Sequence, residues 1–198
     1  MEEQVIIAIG REFGSGGHEI GKELAERFRL SFYDRNLLDH MFIGAEDLKE
    51  MMRGFEEKLS HPLFSRRVRG HSNSIAENLA QMQFQFIREK AEQGESFVII
   101  GRCAETILKE NPNLITIFIL GDQESKMERV KRIYELPKQD AISKMMRHDE
   151  QRKKYHNRYS LFKWGDSRGY DLCINSSKLG IEGTVDVLEN YIKRRIQE

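Results

Sequence analysis

The sequence predicts a doubly wound α/β domain, and two observations support this prediction. Five short apolar runs stand apart from a helical background, and the segments between them place apolar residues at a helical period. The runs are Val5 to Ile9, Ser31 to Tyr33, Phe97 to Ile100, Leu114 to Leu120 and Leu172 to Ile174. Because strands and helices alternate, we expect a parallel sheet with its ligand site beyond the carboxyl ends of the strands.

The individual elements follow from their patterns. The first, third and fourth runs are rich in Val, Ile and Phe without alternation, which is typical of strands covered by helices on both faces. An early helix carries the stripe Ile20, Leu24 and Phe28. A longer helix, opened by a capping box at Ser74 and Glu77, carries Ile75, Leu79, Met82 and Phe86. The last helix carries Ile181, Val185, Leu188, Ile192 and Ile196.

Length and charge indicate a single domain over residues 1–198, with 32 basic and 32 acidic residues and a formal net charge of 0. Such a chain has no long-range field to concentrate a nucleic-acid polymer or an anionic membrane. No run approaches the roughly 18 apolar residues of a membrane span, and the opening Met1-Glu-Glu-Gln is unlike a leader. We therefore expect a cytoplasmic protein with Cys103 and Cys173 as buried, reduced thiols.

Two polar segments, residues 35–94 and 129–169, fit the alternation poorly. Each is too polar and too short to form its own core, so we expect two movable flaps on one domain. The Met pairs 51–52 and 145–146 are expected to pack in the core or the flaps. The six histidines lack the spacing of a metal site and the chain has no C-x-x-C, so we expect no structural zinc.

The stretch from Gly10 to Ile20 runs from a strand through glycines into a helix. Glycines let successive backbone N–H groups converge on an anion, and the helix adds its positive end. A literal G-x-x-x-x-G-K match ending at Lys22 would bury the loop within the helix, so we prefer the register from Arg11 to His18. In that register, Gly17 replaces the usual Lys and His18 the usual Ser or Thr. A turn that merely connects strand and helix is the alternative.

These residues resemble the cytidylate kinase-like family of P-loop nucleoside monophosphate kinases, whose members carry S/G-R-E-F-G-S-G-G after the first strand. Gly10 to Gly17 match that signature. The resemblance continues at Phe32 to Arg35, at Gly101-Arg102, in an Arg-rich lid and at Tyr170 to Ser177, whereas residues 36–74 carry no motif that we can place. It implies a three-layer α/β/α P-loop kinase with a five-stranded parallel sheet in the order 2-3-1-4-5, an acceptor flap at about 35–94 and a lid at about 129–169.

The resemblance also implies roles for particular residues. The ATP phosphates would bind Gly14, Ser15, Gly16, Gly17 and His18. The acceptor would bind Asp34, Arg35, Gly101 and Arg102, although Asp34 could instead cap a helix and Arg102 merely end a strand. The catalytic candidates are Arg11, Arg129, Arg132, Arg152 and Asp149, with Arg147 and Arg158 as further lid cations; a solvated basic helix is the alternative. Asn175, Ser176 and Ser177 would lie near the donor base or form a plain polar turn.

The sequence departs from the family pattern where the phosphates would bind. The phosphate-loop Lys and the magnesium-holding Ser or Thr are absent, and Gly101-Arg102 lacks flanking acids. Arg11 or the lid arginines must then supply the missing charge. We expect ATP and Mg²⁺ as cofactors and phosphoryl transfer to a nucleoside monophosphate, with CMP or dCMP as the default acceptor. A non-catalytic nucleotide-binding protein and a kinase of another phosphorylated metabolite remain the alternatives. Arg66, Arg67 and Arg69 are a candidate second anion contact from the acceptor flap, but we favour an ordinary surface loop at these residues.

Overall fold

The structure, a computed structural model, describes residues 4–42 and 75–197. Its five strands are β1 (Ile6–Arg11), β2 (Ser31–Tyr33), β3 (Phe97–Ile100), β4 (Leu114–Leu120) and β5 (Leu172–Asn175). They form one sheet in the order β2-β3-β1-β4-β5, and every neighbouring pair is parallel. The strand order implied by the family resemblance is therefore confirmed.

The helices fill the connections between the strands. They are α1 (Gly17–Phe28), α2 (Arg35–Phe42), α3 (Ile75–Glu92), α4 (Ala104–Ile107), α5 (Gln123–Tyr134), α6 (Lys138–Tyr159) and α7 (Gly180–Ile196), with a 3₁₀ turn at Ser167–Gly169. In the described part of the chain, no helix is both long and apolar enough to cross a membrane.

Two apolar layers bury the two faces of the sheet. Ile7 and Ile9 face a cluster completed by α1 and α7, whereas Ile6 and Ala8 face a cluster completed by α2, α3 and α4. Both sets of β1 side chains are almost fully buried, which explains why this strand shows no polar alternation. The expected three-layer α/β/α arrangement is the result.

Strand β1 continues beyond the predicted end at Ile9. Gly10 and Arg11 remain paired with Phe118 and Ile119 of β4, so the strand ends at Arg11. This extension places the Arg11 side chain at the carboxyl edge of the sheet, directly before the glycine-rich turn.

Some predicted packing is wrong. Met82 is 47% exposed, whereas its neighbour Gln83 is fully buried and donates its amide N–H to Asp39 at 2.7 Å. Met145 is buried, but Met146 lies on the outer side of α6 and is 66% exposed. Cys103 is buried and free, whereas Cys173, also free, is only partly buried. Met51, Met52 and Ser74 of the predicted capping box lie outside the described residues.

Helices α5 and α6 form a small unit with its own apolar cluster. Met127, Val130, Ala141 and Met145 are its buried members. Phe13, from the glycine-rich turn, packs against this cluster from the side of the main domain. The predicted lid segment therefore contacts the glycine-rich turn through Phe13.

Candidate active site

The glycine-rich turn forms an open cradle of backbone N–H groups. Gly14 and Gly16 have φ of 85° and 78°, which L side chains rarely adopt, and α1 begins at Gly17. Within the described residues, the amides of Gly16, Gly17, His18 and Glu19 have no hydrogen-bond acceptor. Unpaired amides at the positive end of a helix favour a bound anion.

Side chains outside the cradle fix its shape. The Ser15 hydroxyl donates to the carbonyl of Glu12 at 2.9 Å, and the Glu12 carboxylate accepts from the Gly121 N–H at 3.1 Å and from the Lys126 ammonium at 2.8 Å. The Ser176 hydroxyl lies 2.6 Å from the carbonyl oxygen of Ser15. The loop is thus tied to β4 and β5 before any ligand arrives, which lowers the cost of ordering it.

Arg11 turns beneath this loop. Its Cβ lies 2.6 Å from the position of a Cβ on Gly17, and its Nη1 fills the space that a side chain on Gly101 would need. Its Nε is buried and has no hydrogen-bond partner among the described residues. Burial, and next the charges of Arg152 and Arg102, lower the pKa of Arg11 well below its usual range. The charge of Asp34 opposes this shift, but no carboxylate in the described part of the chain forms an ion pair with the Arg11 guanidinium.

Asp39 joins the two predicted acceptor arginines. Its carboxylate, which is almost fully buried, accepts from Arg102 Nη2 at 3.2 Å, from Arg35 Nε at 3.1 Å and from Gln83 Nε2 at 2.7 Å. The sequence reasoning missed Asp39. The spacing of four residues between Arg35 and Asp39 on one helix was the available signal.

The turn after β3 directs Arg102 into the same crevice. Gly101, Arg102 and Cys103 have φ of 76°, 60° and 54° in succession. Such a conformation costs about 1–3 kcal/mol at each non-glycine residue, and strain of this kind is concentrated at functional sites. The guanidinium of Arg102 lies 5.1 Å from the ring centre of Tyr155, and burial raises the pKa of that tyrosine to about 12. The Tyr155 phenol is therefore neutral at pH 7 beside the Arg102 guanidinium.

Asp34 caps a helix and also contacts the glycine-rich loop, whereas its role toward an acceptor stays a prediction. One carboxylate oxygen accepts from the Leu37 N–H at 2.8 Å and so caps α2, and the other lies 2.9 Å from His18 Nε2. Burial opposes its ionisation, but the hydrogen bonds from Leu37 and His18 outweigh burial and leave the pKa of Asp34 below its ordinary value. An ionised carboxylate therefore lies beside the mouth of the cradle.

Two of the lid arginines reach the loop. Arg152 Nη1 donates to the carbonyl of Arg11 at 3.2 Å and lies 3.5 Å from the Asp149 carboxylate. Burial lowers the pKa of Arg152 and raises the pKa of Asp149. Arg129 pairs with Glu19 of α1 at 2.5 Å.

The other predicted lid cations lie elsewhere. Arg132 and Arg147 are exposed on α5 and α6, and Arg158 pairs with Glu77 of α3. Asp149 accepts a hydrogen bond from the backbone of Phe13 at 2.7 Å, so this carboxylate holds the loop itself. Arg66, Arg67 and Arg69 lie outside the described residues.

The residues predicted near the donor base connect two turns. Asn175 Nδ2 donates to Asp122 at 2.8 Å, and Ser177 Oγ accepts from the Asp122 N–H at 2.9 Å. With Ser176 bound to the loop, these contacts support the cradle from the β5 side. A role toward a nucleotide base stays a prediction.

The arrangement suits phosphoryl groups. Arg152, Arg102 and Arg35 lie close enough to Arg11 for their charges to lower its pKa, next to the open cradle. Within residues 4–42 and 75–197, no three His, Cys, Asp or Glu side chains converge on a metal position. A protein that catalyses phosphoryl transfer must direct several cations at one polyanionic substrate.

Comparisons with known proteins agree with this geometry. The profile of the Cytidylate kinase-like family matches residues 6–178. The cytidylate kinase of Methanocaldococcus jannaschii is 30% identical over 95% of this chain and 97% of its own length. A crystal structure of an uncharacterized protein from Eubacterium ventriosum is 41% identical, with a TM-score of 0.77 over 96% of this chain and 99% of that one.

More distant structures share the fold alone. The shikimate kinase of Bacteroides thetaiotaomicron is 16% identical, with a TM-score of 0.56 over 96% of this chain and 98% of that chain. The family match runs from the first strand to the turn after β5 and includes the signature from Gly10 to Gly17. The chain therefore belongs to the cytidylate kinase-like family, as a nucleotide kinase-like phosphotransferase.

Proposed function

We propose that this protein transfers the terminal phosphoryl group of ATP to a nucleoside monophosphate, with CMP or dCMP as the first candidate. The observation that carries the proposal is the Arg11 guanidinium, whose Nε is buried without a partner among the described residues, beside an open cradle of amides. A purely structural site would neutralise such a charge with a carboxylate. A bound phosphate would supply the missing acceptor.

Each part of the crevice has a place in this reaction. The amides from Gly16 to Glu19 would hold the donor phosphates at the positive end of α1. Arg35 and Arg102, aligned by Asp39, would hold the acceptor phosphate by paired hydrogen bonds. Arg11 and Arg152 neighbour both groups and would neutralise the charge of the transferring phosphoryl group.

The acceptor chemistry explains why the site needs no strong base. The second pKa of a phosphate monoester is about 6, so the attacking oxygen is already ionised at neutral pH. Asp149 therefore has no proton to remove, which agrees with its hydrogen bond to the Phe13 amide. Positioning and charge neutralisation are the contributions left to the protein.

The residues present also fit the Mg²⁺ that the family implies. Magnesium in kinase sites is held mainly by substrate phosphates and water, with one or two protein carboxylates. Asp34, ionised and next to His18 at the cradle mouth, is the carboxylate that we propose for that contact. When bound, the ion would neutralise part of the charge on the donor phosphates.

A coupled assay of ADP formation with ATP, Mg²⁺ and a panel of acceptors tests the proposal. The panel contains CMP, dCMP, UMP, AMP and a sugar phosphate. We expect turnover with CMP or dCMP to exceed turnover with the others. A higher rate with the sugar phosphate would reassign the acceptor, and no turnover with any acceptor would favour the nucleotide-binding alternative.

Calorimetry with Arg102→Ala examines the acceptor site directly. Loss of a hydrogen bond to a charged group should weaken CMP binding by about 1.5–3 kcal/mol and leave ATP binding nearly unchanged. Arg88→Ala, an exposed arginine of α3, is the matched control and should change neither affinity. Equal weakening of both nucleotides would show that Arg102 only supports the scaffold.

A further inference from the structure

Phe13 connects the glycine-rich loop with helix α6 through both its ring and its backbone. The ring stacks on His148 with 4.3 Å between centroids and 6° between planes. The Phe13 N–H donates to Asp149 at 2.7 Å, and the guanidinium of Arg152 lies 5.4 Å from the ring centre. Three residues within little more than one turn of α6 thus hold one residue of the loop.

Arg152 carries this contact into the crevice. One side of its guanidinium faces the Phe13 ring, and its Nη1 donates to the Arg11 carbonyl. Cation–ring and hydrogen-bond contacts restrict a long side chain that would otherwise sample many rotamers. The Phe13 ring is therefore one of three contacts, with the Arg11 carbonyl and the Asp149 carboxylate, that restrict the direction of the Arg152 guanidinium.

We propose that Phe13 is a positioning residue, whose docking on α6 sets Arg152 over the phosphate loop so that loop and lid respond to phosphates as one unit. The proposal rests on the proposed function, because the direction of Arg152 matters for turnover only if this arginine meets a phosphoryl group. Its competitor is plain packing, in which Phe13 merely fills the edge of the apolar cluster on α5 and α6.

Kinetics of Phe13→Leu separate these two roles. Leucine keeps the apolar volume but removes the stacked ring, so kcat should fall about tenfold while KM for ATP changes less than about twofold. Phe13→Tyr keeps the ring and should retain at least about half of the wild-type kcat. Met146→Ala, an exposed change on the same helix, is the matched control and should have no effect.

A double-mutant cycle with Arg152→Ala shows whether Phe13 acts through Arg152. If it does, Phe13→Leu should lower kcat less than about twofold once Arg152 is already absent. A full tenfold loss in that background would overturn the proposal, because independent packing effects add. Thermal unfolding of all four proteins identifies any variant that is simply unfolded.

Hydrogen exchange gives a readout that does not need turnover. Inorganic triphosphate should slow amide exchange in residues 145–153 of the wild-type protein at least about fivefold, and it should have little effect on the same residues in Phe13→Leu. Equal slowing in both proteins would overturn the proposal. If the wild-type protein phosphorylates no acceptor, the proposed function fails, and this exchange experiment still decides whether Phe13 couples the loop to α6.

Discussion

The guanidinium of Arg11 occupies the space into which a side chain on Gly101 would project. Arg11 ends β1 and Gly101 follows β3, so two neighbouring strands of the sheet meet at this contact. The absence of a Cβ at Gly101 allows the buried cation to lie between the phosphate loop and the turn that carries Arg102. Glycine at position 101 therefore leaves space for the Arg11 guanidinium and also adopts the positive φ of the turn.

Gly101→Ala should displace Arg11 and lower turnover. The φ of 76° adds a backbone cost of about 1–2 kcal/mol. Gly94→Ala is the matched control, because Gly94 has φ of 78° and open space around its α-carbon. Steady-state kinetics should show at least about a tenfold lower kcat for Gly101→Ala only. Equal turnover in the two variants would show that Arg11 moves aside without consequence.

Arg11→Met should affect stability and activity in opposite directions. Methionine removes a buried charge whose Nε has no described partner, so the free energy of unfolding in phosphate-free buffer should rise by about 1–3 kcal/mol. Turnover should fall about a hundredfold or more, with little loss of ATP affinity. Arg11→Lys should recover part of the rate.

Urea unfolding and steady-state kinetics measure these effects of Arg11. A fall in stability with Arg11→Met would mean that the guanidinium is already neutralised in the free protein. Wild-type turnover with Arg11→Met would transfer the charge-neutralising role to Arg152 and Arg129.

Asp39→Asn should raise KM for the acceptor. The substitution preserves the shape of the side chain, but it removes the charge that aligns Arg35 and Arg102. We expect acceptor binding to weaken by about 1.5–3 kcal/mol, with KM for ATP nearly constant. Asp186→Asn, at an exposed ion pair with Arg27, is the matched control. Unchanged acceptor KM in Asp39→Asn would show that the two arginines keep their positions without Asp39.

Local sequence patterns predicted the strands and the glycine-rich loop, because adjacent residues encode these elements. All five strands were found within two residues of their true ends, and the signature from Gly10 to Gly17 identified the cradle because glycine geometry is encoded by adjacent residues. The buried Gln83 was missed because hydrophobic periodicity assigns a polar residue to the surface, and its burial depends on Asp39, 44 residues earlier.

Contacts across the chain explain the remaining differences at the site. Asp149 was predicted to act in the lid, yet its partner is the amide of Phe13, 136 residues away in sequence. A basic helix such as α6 presents cations on several sides, and sequence alone does not identify which side meets the loop. Arg152 faces the loop, whereas Arg147 is exposed, and only the docking of α6 on Phe13 distinguishes them.

Acid should destabilise the protein through His148. Burial, followed by the charges of Arg152 and Lys144, lowers the pKa of His148 to about 4 from the 6.5 of a free imidazole. The unfolded chain therefore binds a proton near pH 6.5 that the folded protein does not bind until about pH 4. The stability supplied by the neutral ring is fully present above pH 6.5 and is lost as the pH falls toward 4.

His148→Phe keeps a ring against Phe13 and removes this titration. Between pH 7.5 and 4.5, the wild-type free energy of unfolding should fall by about 1–2 kcal/mol more than that of the variant, a value reduced for solvent screening of a half-buried side chain. Urea unfolding at several pH values measures the difference, and other titrating groups cancel because both proteins contain them. Parallel stability curves would show that His148 already binds its proton near pH 6.5 in the folded protein, with the stacked ring open to solvent.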